Sequence, residues 1–427
     1  MYAVLPFAFS FSLLIGPAHH RIFERCFKHR KTTAELIRET HPQVPFMRKH
    51  YRLMIPGPIE ISPDVAAHMG DPITAHYGDR WVEIWRKTIS NLQRVIGTEG
   101  DVFVLVGSGH TANDVVVNSL FNPGDQILTL DNGLFGRRLD DLARAFGLDS
   151  VVLEKPWGVP FEASDIHEAA AANPGLKAVF MVHGETSTGV ANPVRELAAA
   201  AKEHGMLVLA DTIASLGGEQ YLMDAWDIDV TVCASQKALG APPGLALVAV
   251  SDRAWDVMKD RREPRGFMGD LQNLRHFAVT QADVHPHPGT MPVNNFVALE
   301  KSTASILEEG LEATWTRHRK VARVVREGVR AMGLQIMAEE RAACVNMTVI
   351  LSEDRFKPVA FSDFMKAEYG MHVGLGLGDY VNRSIRVGHM AHNANLEAVT
   401  PFLVGLEQYL RRQGFDVARG ACLAGLD

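Results

Sequence analysis

The 427-residue chain has only four cysteines, and none of them belongs to a CxxC pair or to a His/Cys cluster with metal-site spacing. Cys26, Cys233, Cys344 and Cys422 lie far apart, which excludes a disulfide scaffold and a zinc ribbon. We expect reduced thiols in a cytoplasmic, cytosol-like compartment. Cys233 and Cys344 stand in apolar runs and are expected to be buried as small hydrophobic residues.

The chain also lacks positive net charge and long apolar runs. Its formal net charge is −7, which gives no electrostatic basis for binding nucleic acid. The apolar stretch at the N-terminus is short and is interrupted by Pro6, Gly16 and Pro17, so a membrane span is not expected. With 47% hydrophobic and 22% charged residues the composition is globular, and a small-molecule substrate is the favoured partner.

Residues 1–50 have no clear place in a domain. Their apolar start precedes the basic stretch RIFERCFKHRK, whereas a secretory signal has its positive charges first. We expect an extension of uncertain status or a start codon placed too early, with organelle targeting or a membrane anchor as alternatives.

From about Asp101, strand-like apolar runs alternate with helical segments, and no internal repeat or low-complexity tract interrupts them. The runs DVFVLV, DQILTL, AVFMV, MLVLAD and VTVCAS are separated by amphipathic stretches such as PVRELAAAAKEHG. Continuous apolar strands with helices between them predict an α/β fold with a mainly parallel sheet. Ligands of such folds bind at the carboxyl ends of the strands.

The pattern changes near Asn295, where a long helical stretch begins and continues to residue 333. We expect a large domain over residues 51–294, whose segment 51–78 crosses between domains. A smaller C-terminal α/β domain over residues 295–414 and a loose tail over 415–427 would follow.

One lysine stands in an unusual place, in QKALGAPPG between the apolar runs TVCAS and LALVAV. Burying an unpaired ammonium at the end of a strand is costly, because desolvation disfavours the charged form. Lys237 is therefore expected to have either a buried anionic partner or a covalent use for its nitrogen.

Other polar groups are predicted at the same edge of the sheet as Lys237. Asp211 ends the strand MLVLAD, the turn GSGH brings Gly109 and His110, and the loop HGETSTG follows AVFMV. A glycine-rich turn at a helix start binds phosphate through backbone N–H groups. With a lysine for a Schiff base and a carboxylate for a pyridine nitrogen, this set suits pyridoxal phosphate.

The glycine turn has a second interpretation. VLVGSGHTA, followed by a helix and by Asp131 at the end of the next strand, matches the dinucleotide-binding fingerprint. An NAD(P)-dependent oxidoreductase therefore remains an alternative.

Six motifs in one order make the chain similar to a known family. They are PGP (56–58), GSGH (107–110), HGETSTGV (183–190), ADTIASLGG (210–218), SQKALGAPPG (235–244) and RVGHM (386–390). From Tyr51 to about Gly405 the chain resembles the class V, fold type I pyridoxal-phosphate aminotransferases of the alanine–glyoxylate and serine–glyoxylate group.

The resemblance implies a role for each matching residue. Lys237 would form the Schiff base and shuttle a proton, Asp211 would pair with the pyridinium nitrogen, and Arg386 would bind the substrate carboxylate as a bidentate fork. The other implied cofactor contacts are Ser108, Gly109, His110 and Gln236 at the phosphate, Thr186 at the ring hydroxyl, Phe135 stacked on the ring, and Ile213. No metal is implied.

The resemblance also implies a homodimer or a dimer-based oligomer, because family members complete the phosphate site with a loop of the partner subunit. The matching loop is HPHPGTMPV, which carries Thr290. His287 stands where the family usually has an aromatic hydroxyl, which leaves one phosphate contact open.

The implied reaction is a ping-pong transfer of an amino group from alanine or serine to a 2-oxo acid such as glyoxylate or pyruvate. A pyridoxamine–pyruvate-type or other amine aminotransferase is the alternative within the family, although the arginine that such members carry is absent from the loop written GLGLG here. A cysteine desulfurase is not expected, because Gln236 precedes the lysine where those enzymes usually have a histidine. The donor and acceptor would be selected by side chains near Pro58, His76 and Tyr77 and by side chains of the partner subunit.

Overall fold

Thirteen strands and twelve α-helices make up the described part of this computed structural model, residues 50–259, 265–353 and 355–426. The extension predicted for residues 1–50 lies outside the described residues, His50 excepted. The strands are β1 (Arg52–Met54), β2 (Asp101–Val106), β3 (Gln126–Asp131), β4 (Asp149–Glu154), β5 (Ala178–Val182), β6 (Gly184–Glu185), β7 (Val190–Ala191), β8 (Leu207–Asp211), β9 (Val230–Ala234), β10 (Leu245–Val250), β11 (Met347–Leu351), β12 (Met371–Leu375) and β13 (Ser384–Gly388). The helices are α1 (Pro63–Ala67), α2 (Asp79–Ile96), α3 (Gly109–Leu120), α4 (Leu134–Ala145), α5 (Ala163–Ala172), α6 (Val194–Glu203), α7 (Asp252–Met258), α8 (Leu271–Thr280), α9 (Val293–Glu309), α10 (Leu311–Ala331), α11 (Pro358–Tyr369) and α12 (Leu396–Arg412).

Seven strands form the large sheet, in the order β2-β10-β9-β8-β5-β3-β4. The strands from β9 to β4 pair in parallel, while β10 is antiparallel to both of its neighbours. The central strands β5, β8 and β9 are buried along their whole length, which explains their continuous apolar sequences. The predicted α/β fold with a mainly parallel sheet is confirmed.

Helices cover both faces of the large sheet. Alternate residues of β5 face opposite sides, so that Met181 packs into a core with Phe296 of α9, whereas Phe180 packs into a second core with Leu139 of α4 and Trp255 of α7. Because both faces are covered, the loops at the strand ends are the places where polar side chains can converge on a ligand.

A second sheet has the order β1-β12-β13-β11, with β1 parallel to β12 and the other pairs antiparallel. It shares a core with α10, α11 and α12. Residues 51–427 form one compact unit, and the domain bounds given above stay a prediction. The stretch expected to be one long helix is divided into α9 and α10 at Gly310, whose φ is +90°. Strands β1 and β12 were not predicted, since β1 has three residues and β12 contains Gly374.

The expectation of a loose C-terminal tail is wrong. Val417 and Cys422 are 6% and 3% exposed and belong to the core of the second sheet. The backbone N–H of Cys422 donates to Glu407 Oε2 at 3.1 Å, which ties the tail to α12. The tail is held because apolar side chains at its end cover α10 and α12.

Among the described residues, Cys233, Cys344 and Cys422 are unpaired and buried, as expected for the first two. No described helix combines the length and the apolar character needed to cross a membrane.

Candidate active site

Lys237 follows β9 at the carboxyl edge of the large sheet and is largely buried. Its Nζ donates a hydrogen bond to the carbonyl oxygen of Pro56. Gly57 has a φ of +108°, and a Cβ built on it would overlap the lysine side chain, so only glycine leaves room here. Burial, with the nearby charge of Arg386 adding to its effect and the carboxylate of Asp211 opposing it, lowers the pKa of Lys237 to about 8. A fraction of the amine is therefore neutral near pH 7, as a nucleophile requires.

Asp211 is the last residue of β8 and is 8% exposed. Its Oδ2 accepts a hydrogen bond from Asn113 Nδ2 at 3.0 Å, and its Oδ1 accepts one from the backbone N–H of Ile213 at 2.9 Å. Burial raises its pKa, while these two hydrogen bonds and the charges of His110 and Lys237 oppose that rise. The donors around the carboxylate stabilise its ionised form.

The turn before α3 brings backbone N–H groups to the same edge. Ser108 is the N-cap of α3, and its backbone N–H donates to Thr111 Oγ1 at 3.2 Å. A Cβ on Gly109 would overlap the side chain of Ile213, so glycine is required for the start of α3 to approach the loop after β8. Amides at a helix start attract anions, so this turn suits an anionic ligand.

Phe135 lies beside this turn, at the start of α4. Its ring centroid is 6.3 Å from that of His110. The backbone N–H groups of Phe135 and Gly136 both donate to Glu185 Oε2 at 3.0 Å, and Ser187 donates to Glu185 Oε1. The carboxylate of Glu185 thus fixes the start of α4 against the loop that carries Thr186, which is 5% exposed.

Arg386 lies on β13, opposite Gly374 of β12. Its Nε donates to the carbonyl oxygen of Leu375 at 2.7 Å. Burial lowers its pKa to about 10, although the nearby carboxylate of Glu185 opposes the shift. The arginine stays protonated at neutral pH, and a half-buried guanidinium of this kind suits a carboxylate ligand.

Gln236 and Thr290 differ in their surroundings. Gln236 Oε1 is buried and has no hydrogen-bond partner among the described residues. Thr290 is exposed, and none of the described contacts joins it to the residues around Lys237. His287 is 3% exposed and accepts a hydrogen bond from Trp81 Nε1 at 3.0 Å within its own chain. The His287 ring is therefore hydrogen-bonded to a residue of its own subunit.

The residues present fit pyridoxal phosphate. The start of α3 forms a cradle that a Cβ on Gly109 would fill, and Lys237 reaches the same edge as Asp211. The dinucleotide fingerprint does not fit. Asp131 ends β3, and four strands separate β3 from β2, which precedes the glycine turn.

Three site residues were not among the contacts predicted from the sequence. Asn113, one turn into α3, orients Asp211, and Glu185 connects Phe135 to Arg386. Pro56 contributes through its backbone carbonyl, which no side-chain motif could indicate. Helical spacing from Gly109 is the one signal that could have drawn attention to Asn113.

Comparisons with known proteins show the family to which the chain is related. A family model described as aminotransferase class-V matches residues 67–378. An uncharacterised aminotransferase of Methanocaldococcus jannaschii is 33% identical over 365 residues, which cover 86% of this chain and 94% of that protein. The alanine–glyoxylate aminotransferase of Oryctolagus cuniculus is 29% identical over 372 residues, 86% of this chain and 94% of that protein. A crystal structure of pyridoxamine–pyruvate aminotransferase from Mesorhizobium loti has a TM-score of 0.83 at 26% identity and covers 90% of this chain and 97% of that chain.

Proposed function

This chain belongs to the class V aminotransferase family and is an aminotransferase, and we propose that it transfers the amino group of alanine or serine to glyoxylate or pyruvate by a ping-pong mechanism. The family is generally dependent on pyridoxal phosphate, and we propose that this chain binds that cofactor at Lys237. The observation that carries the proposal is the position of Lys237, a buried amine with a lowered pKa between the carboxylate of Asp211 and the guanidinium of Arg386.

When bound, pyridoxal phosphate supplies an aldehyde that joins amines covalently and a protonated ring that accepts the electron pair released at the substrate Cα. The start of α3, with Ser108, Gly109 and His110, would hold the phosphate together with Gln236. Asp211 would keep the proton on the ring nitrogen, because Asn113 and the amide of Ile213 stabilise its ionised form.

Lys237 has two tasks in this proposal. Its neutral amine would hold the cofactor. When not so engaged, Nζ would act as the base that moves the proton at the substrate Cα. The lowered pKa suits both tasks, since a base is most effective when its pKa lies near the working pH.

Arg386 would orient the substrate. Its guanidinium can hold the α-carboxylate by two parallel hydrogen bonds, which fixes the Cα relative to Lys237. Glu185 keeps Arg386 protonated and holds Phe135, which would cover one face of the cofactor ring; Thr186 would bind the ring hydroxyl.

A pyridoxamine–pyruvate aminotransferase is the second candidate, because a protein of that activity has the same fold over most of this chain. Pyridoxamine has no carboxylate, so Arg386 would then serve the oxo acid alone. The loop GLGLG, residues 374–378, contains no arginine, and this favours an ordinary amino acid as the donor.

Two further features belong to the proposal. The exposed position of Thr290 supports a homodimer in which this residue reaches the phosphate site of the partner.

The unpaired cysteines Cys233, Cys344 and Cys422 support a cytoplasmic location, where thiols stay reduced.

The test is a turnover assay on the holoenzyme with a panel of amino donors, including pyridoxamine, and with glyoxylate or pyruvate as acceptor. We expect activity with alanine or serine, none in a Lys237→Ala variant, and full activity in Lys259→Ala, whose side chain is 71% exposed. Undiminished turnover in Lys237→Ala would contradict the proposal, and activity with pyridoxamine alone would favour the second candidate.

A further inference from the structure

Three histidine rings meet between the segment before α2 and the segment after α8. His76 precedes α2, and His285 and His287 follow α8. His76 Nδ1 lies 3.2 Å from His285 Nε2, and the ring centroids of His285 and His287 are 4.1 Å apart. One ring nitrogen from each of the three lies within 4.8 Å of the others, and in the described part of the chain no other group of three potential metal ligands is so close.

The backbone already holds the two segments together. The N–H of Gly78 donates to the carbonyl oxygen of Val284 at 2.9 Å, beside His76 on one segment and His285 on the other. The N–H of His287 donates to the carbonyl oxygen of His285 at 2.8 Å. The three rings are therefore positioned by the fold itself, which lowers the entropic cost of binding a ligand there.

The hydrogen bonds of His287 determine its tautomer. The indole of Trp81 is a donor only, so His287 Nε2 must accept its hydrogen bond. The carbonyl oxygen of Gly289 is an acceptor only, so His287 Nδ1 carries the proton. A histidine that binds a metal through Nε2 usually donates its Nδ1–H to a backbone carbonyl, and His287 already has that arrangement.

Burial affects the protonation of His285 and His287. Burial, with the neighbouring His285 adding to its effect, lowers the pKa of His287 to about 4. Burial and the neighbouring His76 lower the pKa of His285. Neutral imidazole is the form that coordinates a metal.

We propose that His76, His285 and His287 form a binding site for a divalent transition-metal ion such as Zn²⁺. Imidazole ligands favour Zn²⁺, Cu²⁺ and Ni²⁺ over Ca²⁺ and Mg²⁺, which prefer oxygen ligands. Zn–N bonds of about 2.0–2.1 Å in a tetrahedral site separate two ligand nitrogens by about 3.4 Å. His76 and His285 are already at nearly that separation.

Binding of the third ligand exchanges one hydrogen bond for one metal bond. His287 Nε2 releases the indole N–H of Trp81 and donates its lone pair to the ion, while Nδ1–H keeps its hydrogen bond to Gly289. Water completes the coordination, because His76 and His285 are only partly buried. The ion joins the segment before α2 to the segment that leads to Thr290.

A second histidine pair provides a matched control. His167 Nδ1 and His204 Nε2 are 2.9 Å apart on the surface, between α5 and the end of α6. No third ligand stands beside them in any group found among the described residues. A pair of this kind tests whether two nearby rings are enough to bind the ion.

The experiment is a calorimetric titration of the holoenzyme with ZnCl₂ in the absence of amino acid. We expect one saturable site per chain, an affinity lower by about tenfold or more in His76→Ala and in His285→Ala, and no change in the double variant His167→Ala/His204→Ala. Absence of saturable binding to the natural chain, or equal affinity in His285→Ala, would overturn the proposal.

Trp81→Phe tests the role assigned to His287. This substitution removes the N–H that occupies His287 Nε2 and keeps an aromatic ring in the core, so a folded variant should bind Zn²⁺ more tightly than the natural chain. A folded Trp81→Phe enzyme with unchanged affinity would overturn the three-histidine site. If this variant does not fold, the two alanine variants at the partly buried histidines still decide the question.

Discussion

Arg386 lies close enough to Lys237 for its positive charge to lower the pKa of the lysine. The two residues come from different sheets, Lys237 from the loop after β9 and Arg386 from β13. The positive charge of Arg386 thus favours the neutral form of Lys237. A carboxylate bound at Arg386 would therefore lie near the amine of Lys237, which we propose reacts with the cofactor.

The first prediction concerns carboxylate recognition. Arg386→Lys keeps the charge but removes the planar fork, so kcat/KM for both the amino acid and the oxo acid should fall by about 2–5 kcal/mol in transition-state stabilisation. Steady-state kinetics measure this loss. Arg383→Lys is the matched control, because Arg383 lies over the ring of Tyr380 in the same hairpin. Equal losses in the two variants would contradict the role of Arg386.

The second prediction concerns the phosphate cradle. Gly109→Ala places a Cβ in the space of the Ile213 side chain, so the affinity for pyridoxal phosphate should fall. Adding Ile213→Ala removes the overlapping atoms and should restore part of that affinity, giving a non-additive double-mutant cycle. Cofactor titration of the apoenzymes measures the effect, and strictly additive losses would argue against the contact.

The third prediction concerns the cost of burying Lys237 in the cofactor-free protein. Its folded pKa of about 8 lies below the ordinary value of 10.5, so the unfolded chain binds this proton more tightly. The penalty is fully present below pH 8, falls as the pH rises from 8 to 10.5, and is absent above that range. Lys237→Met should therefore stabilise the apoprotein by up to about 3 kcal/mol at pH 7 and by little above pH 10.5. Urea unfolding of both apoproteins at several pH values measures it, and a gain independent of pH would contradict the burial argument.

The fourth prediction concerns the hairpin that carries Arg386. Trp157, which follows β4, stacks on Tyr380, which lies in the β12–β13 connection. The ring centroids are 5.3 Å apart, and the interplanar angle is 19°. Such a pair contributes about 0.5–1.5 kcal/mol, so Trp157→Ala should raise KM for both carboxylate substrates several-fold with a smaller change in kcat. Trp157→Phe should retain most of the effect of the stack. A fall in kcat at unchanged KM would show that Trp157 acts elsewhere.

The sequence was sufficient for the fold class and for the edge of the sheet at which the site lies. Buried parallel strands are continuous apolar runs, and a polar residue at the end of such a run, as with Asp211, must lie at that edge. The glycine-rich turn that ends at Gly109 likewise indicates, from local chain geometry, a helix start that can bind an anion.

What the sequence could not indicate depends on contacts between distant segments. The sequence does not show which residues Asn113 and Glu185 contact. Their roles appear only because the fold brings Asn113 of α3 to Asp211 of β8, and Glu185 near Arg386 of β13. The helix break at Gly310 and the burial of the C-terminal tail also depend on contacts between distant segments. A helical pattern does not show where a backbone must turn, and burial of Cys422 depends on α12 lying beneath it.

The most direct test is the visible absorption spectrum of the purified protein before and after addition of L-alanine or L-serine without any oxo acid. The account predicts a yellow absorption band that bleaches with one of these amino acids and that is altered in Lys237→Ala. A protein that shows no such band even with added pyridoxal phosphate would contradict the assignment of Lys237 as the residue that binds the cofactor.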